Sequence, residues 1–585
     1  MSLSLLATTP ISSSLSSKTP LHQTPKRVPT TSLRANNTIT CEQKQNVGPS
    51  QSIDRRNVLL GLGGLYGATA TIGNQANAES GGPIQPPDLS KCHLASDDET
   101  GEQVNCCPPY STAEVHEFKL PQGPLRHRKA AHLLTPEEIE KYNAAVAKMK
   151  QLDPKDPWHF MQQATIHCTY CNGAFDQKDH EGKLLQVHGS WLFLPWHRMY
   201  LHFWERILGT LIDDPTFAIP YWNWDNPNAM TMPGFYTDKS SYPFIYNDNR
   251  NHDHYKALMD LGYKLGDPNP RPDQYPEVKL NNLRKVYNMY KETLGKPRLF
   301  MGAPITAGET TKEGAGALEN MHNLPHQWVG PVEKPYHDMG NFYTAARDTI
   351  FFGHHANIDR MWEIYSIMRG HKLEFESKDW LDSSFLFYDE NRKVVKVKIS
   401  DVLNIENLGY TYTSEVNAWR DVRKRYKKER LGRKRSAKEH VQLLPVSEFG
   451  TEPRPLKEPI RILVQRPKTS RSKQEKEDDL EVLVIDDIEY EHGQHSSFDV
   501  FISKPIEGLA GPDYGEHAGH FNRLPHFHIK KEHHSERKAQ LELGITNLLD
   551  DIDAETSDNL VVTLVPKQGK VTIGGVFIEL QESDL

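Results

Sequence analysis

Two groups of three histidines carry the chemistry that this sequence is equipped to do. The first group is His167, His188 and His197, and the second is His322, His326 and His355. Three neutral imidazoles around one metal ion suit copper and leave positions open for a further ligand. Two such ions side by side could share one small molecule, so the sequence points to a copper pair that binds and activates dioxygen.

The second group has the spacing of a chelate. His322 and His326 are four residues apart, so on a helix they share a face and can bind one ion. His355 follows in an apolar stretch beside His354, and such a stretch does not bury two imidazoles without partners. Asp359, one turn later, is a candidate to orient a ligand histidine by accepting its other N–H.

Helices must position most of these histidines. Thr135, Pro136 and Glu138 form a helix start with a capping box, which predicts a helix over 135–152. Apolar spacing predicts further helices over 160–170, 191–211 and 344–369. Residues 223–270 are rich in Pro, Asn, Asp and Tyr, which predicts long loops.

The character of the chain changes after residue 415. Residues 420–440 are strongly basic, which predicts a solvated helix or linker and alternatively a protease-sensitive joint. Short β-type runs separated by turn residues then predict a β-sandwich. These runs are 460–465, 480–485, 498–503, 541–545, 561–565 and 571–580.

Length, composition and net charge narrow the class of protein to which the chain can belong. The chain has 585 residues, 37% of them hydrophobic, and a formal charge of −8. Its length predicts two to four domains, and the mild negative charge argues against nucleic acid as a partner.

The N-terminus has the composition of a targeting segment. Residues 1–41 are basic and rich in Ser and Thr, and no acid precedes Glu42, which is typical of organelle transit peptides. Arg55 and Arg56, the apolar run 57–73 and an A-x-A site ending at Ala78 form a twin-arginine export signal. Together they predict a plastid and then its thylakoid lumen. A single membrane anchor is the alternative, but the run is short and glycine-rich for a span.

Removal of residues 1–78 would leave an odd number of cysteines. They are Cys92, Cys106, Cys107, Cys168 and Cys171. Two disulfides would therefore leave one cysteine with another role, and the residues alone do not give the connectivity.

Several motifs carry a family resemblance that spans nearly the whole chain. Residues 188–205 resemble the first copper signature of tyrosinases, and residues 348–359 resemble the second. The stretches 379–381 (DWL) and 498–500 (FDV) resemble marker motifs of plant polyphenol oxidases. Residues 410–412 (YTY) resemble the motif that closes their catalytic domain.

The resemblance implies an architecture. A mainly α catalytic domain over 79–415, a helix bundle with long loops, would hold a type-3 pair of two copper ions. The targeting segment 1–78 would precede it, and a basic linker over 416–457 would follow it. A C-terminal β-sandwich over 458–585 would then cover the active site of a latent pro-enzyme.

The resemblance also implies roles for individual residues. Copper A would take His167, His188 and His197, and copper B would take His322, His326 and His355, with His354 beside them. Cys171 would form a thioether with His188. The disulfides would be Cys92–Cys107 and Cys106–Cys168. Phe342 would be the gate residue over the copper A side.

The implied activity is oxidation of o-diphenols to o-quinones with reduction of O2 to water. The implied partners are small phenols, O2 and the chain's own C-terminal domain as a lid, without nucleic acid or a membrane span. Hydroxylation of monophenols is linked in the family to an Asn and a Glu that orient a water. Asn323 matches the Asn. Glu319 lies three residues before His322 instead of four, a rotation of about 100° on a helix.

Two further departures concern proline: the usual proline before the first copper B histidine is absent, and Thr349 replaces the usual proline of the second signature. From these departures we expect oxidation of diphenols with weaker hydroxylation of monophenols. The alternatives are a specialised enzyme of flavonoid, aurone or lignan synthesis, a reversible dicopper oxygen carrier, and a copper-free structural protein. All six histidines are present, which argues against the last.

A histidine-rich stretch near the C-terminus is a rival metal site. It contains His517, His520, His526, His528, His533 and His534. The charged residues Lys530, Lys531 and Glu532 predict a solvated strand and loop, with transient copper handling as the alternative.

Overall fold

The computed structural model describes residues 81–96, 103–108, 114–311, 314–422, 444–446, 453–491, 493–505, 516–525 and 538–584. All of these residues belong to the second of the chain's two units, Asn77–Leu585. The predicted targeting segment and most of the basic run 420–440 lie outside the described residues.

The first part of the second unit is helical, as predicted. Its α-helices are α1 (Pro136–Lys150), α2 (Phe160–Cys171), α3 (Phe193–Leu211), α4 (Gly234–Thr237), α5 (Tyr275–Thr293), α6 (Pro297–Met301), α7 (Ala317–Val329), α8 (Ile350–Met368) and α9 (Lys378–Leu381). The Thr135 hydroxyl accepts from the Glu138 N–H and the Glu138 carboxylate accepts from the Thr135 N–H, so the predicted capping box starts α1.

The core of this part lies between α1, α2, α3 and α8. Helix α3 packs against α1 and α8. The rings of Trp204 and Phe352 stack with centroids 3.6 Å apart across the α3–α8 contact. Residues 212–274 contain only short helical turns, as the loop prediction expects. Arg250 ties these loops to the start of α8 through Asp348, whose Oδ1 also accepts from the Ile350 N–H.

Small sheets hold the chain ends of the helical part together. The strands are β1 (Ala95–Ser96), β2 (Gln103–Val104), β3 (Val115–Glu117), β4 (Arg126–Arg128), β5 (Asp176–Gln177), β6 (His180–Leu184), β7 (Ser384–Tyr388), β8 (Val394–Lys398) and β9 (Tyr410–Tyr412). Strand β9 pairs in parallel with β4. After it, Trp419 and Val422 are buried against the helical core.

The C-terminal part is a β-sandwich. Its strands are β10 (Leu444–Pro445), β11 (Arg454–Pro455), β12 (Ile460–Gln465), β13 (Asp479–Tyr490), β14 (Ser496–Ser503), β15 (Glu516–Arg523), β16 (Ala539–Gly544), β17 (Asn559–Gln568), β18 (Val571–Ile573) and β19 (Gly575–Glu582). Its short helices are α10 (Lys473–Asp478) and α11 (Thr546–Asp551). One sheet has the order β10-β12-β17-β14-β15. The other has the order β11-β18-β13-β16, with β19 also on β13.

The two sheets share one apolar core. Val500 and Leu564 come from one sheet, and Leu483, Leu541 and Val576 come from the other. Strands β12 and β16 alternate in burial, whereas β13 is buried at successive residues because Val482 and Val484 pack with Leu299 of the helical part. The predicted fold class, a mainly α domain followed by a β-sandwich, is confirmed.

Strand β15 corrects the prediction for the C-terminal histidines. His517 and His520 do not lie in a solvated stretch, because β15 pairs with β14 and packs against α5. His520 is 7% exposed. His526, His528, His533 and His534 lie outside the described residues. No helix among the described residues combines the length and the apolar character needed to cross a membrane.

Candidate metal centre

The six histidines of the sequence pattern meet in two neighbouring groups. His167 from α2, His188 from the loop before α3 and His197 from α3 each offer a ligand atom, and these atoms lie within 4.8 Å of one another. His322 and His326 from α7 and His355 from α8 form the second group. The rings of His197 and His355 stack at 4.3 Å, so the two groups adjoin.

The second group has the spacing of a metal site. His355 Nε2 lies 3.2 Å from His322 Nε2 and 3.4 Å from His326 Nε2. Nitrogens bound at about 2.0–2.1 Å to one ion with tetrahedral angles stand about 3.3 Å apart. The three Nε2 atoms therefore fit one ion between them.

Backbone carbonyls fix the rings so that Nε2 faces the centre. His167 Nδ1 lies 2.9 Å from the Phe342 carbonyl, and His197 Nδ1 lies 2.8 Å from the Phe193 carbonyl. His326 Nδ1 lies 2.9 Å from the Met339 carbonyl. A carbonyl at Nδ1 selects the tautomer with a lone pair on Nε2, and this arrangement is common at metal-binding histidines.

Five of the six imidazoles are held in the neutral form that a metal ligand needs. Burial lowers the pKa of His197 to about 3 and the pKa of His326 to about 4. Burial, and then the neighbouring imidazoles, also lower the pKa values of His167, His322 and His355. The site thus presents a neutral, dry set of nitrogen donors that suits copper.

His354 lies beside the second group, but both its ring nitrogens are engaged elsewhere. Trp224 Nε1 donates to His354 Nδ1 at 3.1 Å, and His354 Nε2 donates to the His322 carbonyl at 3.1 Å. His354 therefore holds the backbone of α7 in place next to His322.

Asp359 does not orient a ligand histidine, and that prediction is wrong. Its carboxylate accepts from Arg198 Nε at 2.5 Å and Arg128 Nη1 at 3.2 Å. It also accepts from the hydroxyls of Tyr410 and Tyr412, both at 2.6 Å. Asp359 shares a helix face with His355, but its carboxylate is taken up by these four donors, so it instead fastens β9 to the helical core.

Phe342 contacts both the first group and the C-terminal domain. Its ring lies 4.2 Å from the His188 ring, and its carbonyl accepts from His167. Its N–H donates to the Pro525 carbonyl at 3.1 Å. The ring therefore lies against the first group, and its role as a gate stays a prediction.

Glu319 remains near the first group despite its shifted spacing. Glu319 is buried, and its Oε1 accepts from the Gly189 N–H at 2.8 Å. Gly189 directly follows His188 and has a φ of 70°, a left-handed conformation that favours glycine. The tight turn at Gly189 therefore brings its N–H, and with it the carboxylate, next to His188.

A short segment of the C-terminal domain covers the second group. Asn320, Asn323 and Gln327 lie on one face of α7, at positions i, i+3 and i+7. Arg523 Nη1 donates to Asn320 Oδ1 at 2.7 Å, and Asn522 Nδ2 donates to Gln327 Oε1 at 3.2 Å. Leu524, which is fully buried, belongs to the core of the helical domain.

Sequence reasoning missed Asn320, Gln327 and the segment 522–525. The i, i+3, i+7 row of amides beside the second histidine group is a signal that could have indicated a polar contact face on α7. Nothing in the local sequence indicates which strand would meet it.

The five cysteines in the described part of the chain form two disulfides and leave one thiol. Cys92 is bonded to Cys107 and Cys106 to Cys168. Cys171 is buried and has no disulfide partner. Burial raises the pKa of this thiol well above its ordinary value, with a further contribution from Glu319.

Three family descriptions match successive parts of the chain. Residues 157–367 match the common central domain of tyrosinase. Residues 374–425 match the polyphenol oxidase middle domain, and residues 452–580 match the chloroplastic polyphenol oxidase C-terminal domain.

Relatives of known name align over most of the chain. Chloroplastic polyphenol oxidase of Vitis vinifera is 43% identical over 541 residues, 91% of this chain and 88% of the relative. Chloroplastic (+)-larreatricin hydroxylase of Larrea tridentata is 44% identical over 540 residues, 90% of each chain. The solved structure of a latent aurone synthase from a natural source has a TM-score of 0.77 at 35% identity, covering 86% of this chain and 99% of its own.

Proposed function

The chain belongs to the family of plant polyphenol oxidases, and we propose that it oxidises o-diphenols to o-quinones while O2 is reduced to water. One observation carries the proposal: six buried histidines converge in two adjoining groups, and the second has the spacing of a metal site. Two diphenols provide the four electrons that reduce one O2 to two waters. The relatives are named as chloroplastic, which supports the chloroplast as its location.

The ligand assignment is part of the proposal. Copper A takes His167, His188 and His197, and copper B takes His322, His326 and His355. When bound, the copper pair supplies O2 binding and two-electron oxidation of the diphenol. Cys171 is proposed to form a thioether with the His188 ring, which would give the unpaired buried thiol a role. The S–C bond would replace the thiol S–H and a ring C–H, and O2 at the copper pair would accept the two electrons and two protons released.

The chain's own residues orient the metal ligands and exclude water. The carbonyls of Phe342, Phe193 and Met339 fix ligand imidazoles, and His354 fixes the backbone at His322. The ring of Phe342 over His188 supplies an apolar wall against which a phenol ring can lie.

Weaker hydroxylation of monophenols remains the expectation. It would require Glu319 and Asn323 to orient a water that deprotonates the phenol. Glu319 is fixed by Gly189, whereas the Asn323 amide donates to the Asn522 carbonyl at 2.8 Å. Asn323 is therefore engaged by the C-terminal domain while that domain is docked.

We further propose that the protein is made latent. Segment 522–525 lies on the α7 face beside copper B and places Leu524 in the catalytic core. A phenol would have to displace this segment to reach the copper pair. Cleavage in the basic run 420–440, followed by release of the C-terminal domain, would expose the site.

The thylakoid lumen is proposed from the N-terminal sequence. The twin-arginine signal after a transit-type segment would direct the folded protein across the thylakoid membrane. A fusion of residues 1–80 to a fluorescent protein, followed through isolated thylakoids, would test it.

A second candidate is a specialised biosynthetic oxidase. A (+)-larreatricin hydroxylase is 44% identical and a latent aurone synthase is 35% identical to this chain, and the same copper chemistry would serve both reactions. Rates on a lignan, a chalcone and a simple catechol, measured on the same preparation, would decide between them.

Metal counting tests the site independently of activity. We expect two copper ions per chain in the wild type and fewer in His326→Ala and His355→Ala. His354→Ala should retain two, because both its ring nitrogens serve the fold. A folded wild-type protein that binds no copper would overturn the proposal.

A further inference from the structure

A second cluster of metal-type side chains lies away from the six histidines, in the contact between the two domains. Asp499 on β14 and His517 and His520 on β15 each offer a ligand atom, and these atoms lie within 4.8 Å of one another. Helix α5 of the catalytic domain packs against β15, and its Lys285 reaches into the cluster.

A β-bulge brings the three side chains to one side of the sheet. Asp499 pairs with His520 and Val500 with Gly519, but Phe501 pairs with His517, so β15 carries an extra residue there. Residues three apart on a regular strand face opposite sides. The extra residue puts His517 on the side of His520 and Asp499.

The donor set is one that divalent transition metals take up. Two imidazoles and one carboxylate bind Zn²⁺ or Cu²⁺ and leave a position open. His520 is 7% exposed, and within the described part of the chain neither of its ring nitrogens has a hydrogen-bond partner. A buried imidazole without partners costs free energy, and a bound ion would remove that cost.

In the docked protein an ammonium group stands where the ion would be. Lys285 Nζ lies 3.2 Å from His517 Nε2 and 3.7 Å from Asp499 Oδ1. Lys567 Nζ lies 3.6 Å from Asp499 Oδ2 and donates to the Gly262 carbonyl at 2.5 Å. Both ammonium groups repel a divalent ion at this distance, but only Lys285 belongs to the catalytic domain. Lys567 lies on β17, next to β14, and on release it stays with the sheet and loses the Gly262 carbonyl that holds it. The docked cluster is thus already filled by a cation from the catalytic domain.

We propose that Asp499, His517 and His520 bind a divalent transition-metal ion when the C-terminal domain is released, and that Lys285 takes the place of that ion when the domain is docked. The inference rests on the proposed latency, because it requires a released state. Lys285 leaves the cluster with α5 on release, whereas the three ligands stay together on adjacent strands of one sheet.

The proposal couples metal binding to activation. An ion that binds only the released state favours that state by the factor 1 + [ion]/Kd. Micromolar Zn²⁺ would therefore activate the uncut enzyme without proteolysis. Zn²⁺ is the suitable probe because it brings no redox chemistry of its own.

Equilibrium dialysis of the uncut, copper-loaded protein against Zn²⁺ at pH 7.5 tests the site, with copper and zinc counted in the same sample. Lys285→Met should take up one Zn²⁺ per chain at a free concentration at least tenfold below that of the wild type. The double variant His517→Gln/His520→Gln should lose this zinc. His127→Gln, at an exposed histidine of β4, should match the wild type. Lys285→Gln serves the same purpose if the methionine variant does not fold.

Equal zinc uptake by the wild type and the double variant would overturn the site. So would a Lys285→Met variant that binds no more tightly, or zinc gained only as copper is lost. In a parallel titration, Zn²⁺ should raise diphenol oxidation by the uncut wild type and not by the double variant. Dialysis measures zinc binding whether or not the protein oxidises diphenols. A failure of the zinc site can therefore be distinguished from a failure of the proposed enzyme activity.

Discussion

The side-chain amide of Asn323 donates a hydrogen bond of 2.8 Å to the backbone carbonyl of Asn522. This bond joins the residue after His322 to the C-terminal domain. Asn320 and Gln327, on the same face of α7, bond to Arg523 and Asn522. The helix that supplies two proposed copper B ligands is therefore also the surface on which the lid rests.

Arg523→Ala should loosen the lid. The substitution removes the bond to Asn320 and a further bond to the Asn522 carbonyl. A hydrogen bond contributes about 1 kcal/mol, so the uncut protein should gain about fivefold in diphenol oxidation. The trypsin-cut protein is the control and should show the wild-type rate. If the uncut variant is as inactive as the uncut wild type, Arg523 does not help to hold the C-terminal domain on α7.

Gly544→Ala should loosen the same interface at another point. A Cβ at Gly544 would stand 2.1 Å from the Glu292 carbonyl oxygen on α5, so the two domains would have to separate. We expect higher activity of the uncut protein and unchanged activity after trypsin. Gly234→Ala, where a Cβ meets nothing within 4 Å, is the matched control. An uncut Gly544→Ala protein that is as inactive as the uncut wild type would contradict the docked arrangement.

Glu319→Gln tests the monophenol reaction. The amide can still accept from the Gly189 N–H but cannot act as a base, so the monophenol rate should fall by about tenfold or more. Diphenol oxidation, which needs no such base, should change little. The ratio of the two rates on the cut enzyme is the readout. An unchanged ratio would show that Glu319 takes no part in hydroxylation.

Glu292 should make latency depend on pH. Burial in the domain interface raises the pKa of Glu292 to about 8, with Asp551 adding to the shift, while the N–H of Asn547 partly offsets it. The docked state keeps this proton, whereas the released state loses it near its ordinary pKa of about 4.5. Release therefore gives up a proton between about pH 4.5 and 8, and rising pH in this window favours release.

The measurement is the activity of uncut protein relative to cut protein from pH 6.5 to 8. The wild-type ratio should rise with pH. In Glu292→Gln, which keeps an acceptor for the Asn547 N–H, the rise should be shallower and the protein more latent at pH 8. Identical slopes in the two proteins would show that Glu292 does not titrate on release.

Much of this fold follows from local sequence signals. The capping box at Thr135 and the apolar spacing of α3 and α8 predict helices that the structure confirms. Four of the six predicted β-type runs lie wholly within strands of the sandwich. The run 541–545 extends one residue past β16, and the run 571–580 covers β18 and part of β19 with a one-residue break between them. These elements are specified by residues close together in the chain.

The errors arise where distant residues decide the outcome. His517 and His520 lie in a charged, histidine-rich stretch, but Asp499 and Lys285 give them a buried site. Asp359 is one turn from His355, yet its partners Arg128, Tyr410 and Tyr412 come from both ends of the catalytic domain. Local spacing carries no information about such partners.

Oxygen uptake by the copper-loaded, trypsin-cut protein with a simple o-diphenol tests the central claim most directly. We predict sustained uptake with one O2 consumed for every two diphenols converted to quinone, and none in His326→Ala. Reversible O2 binding without consumption of the diphenol would contradict the account and make this chain an oxygen carrier.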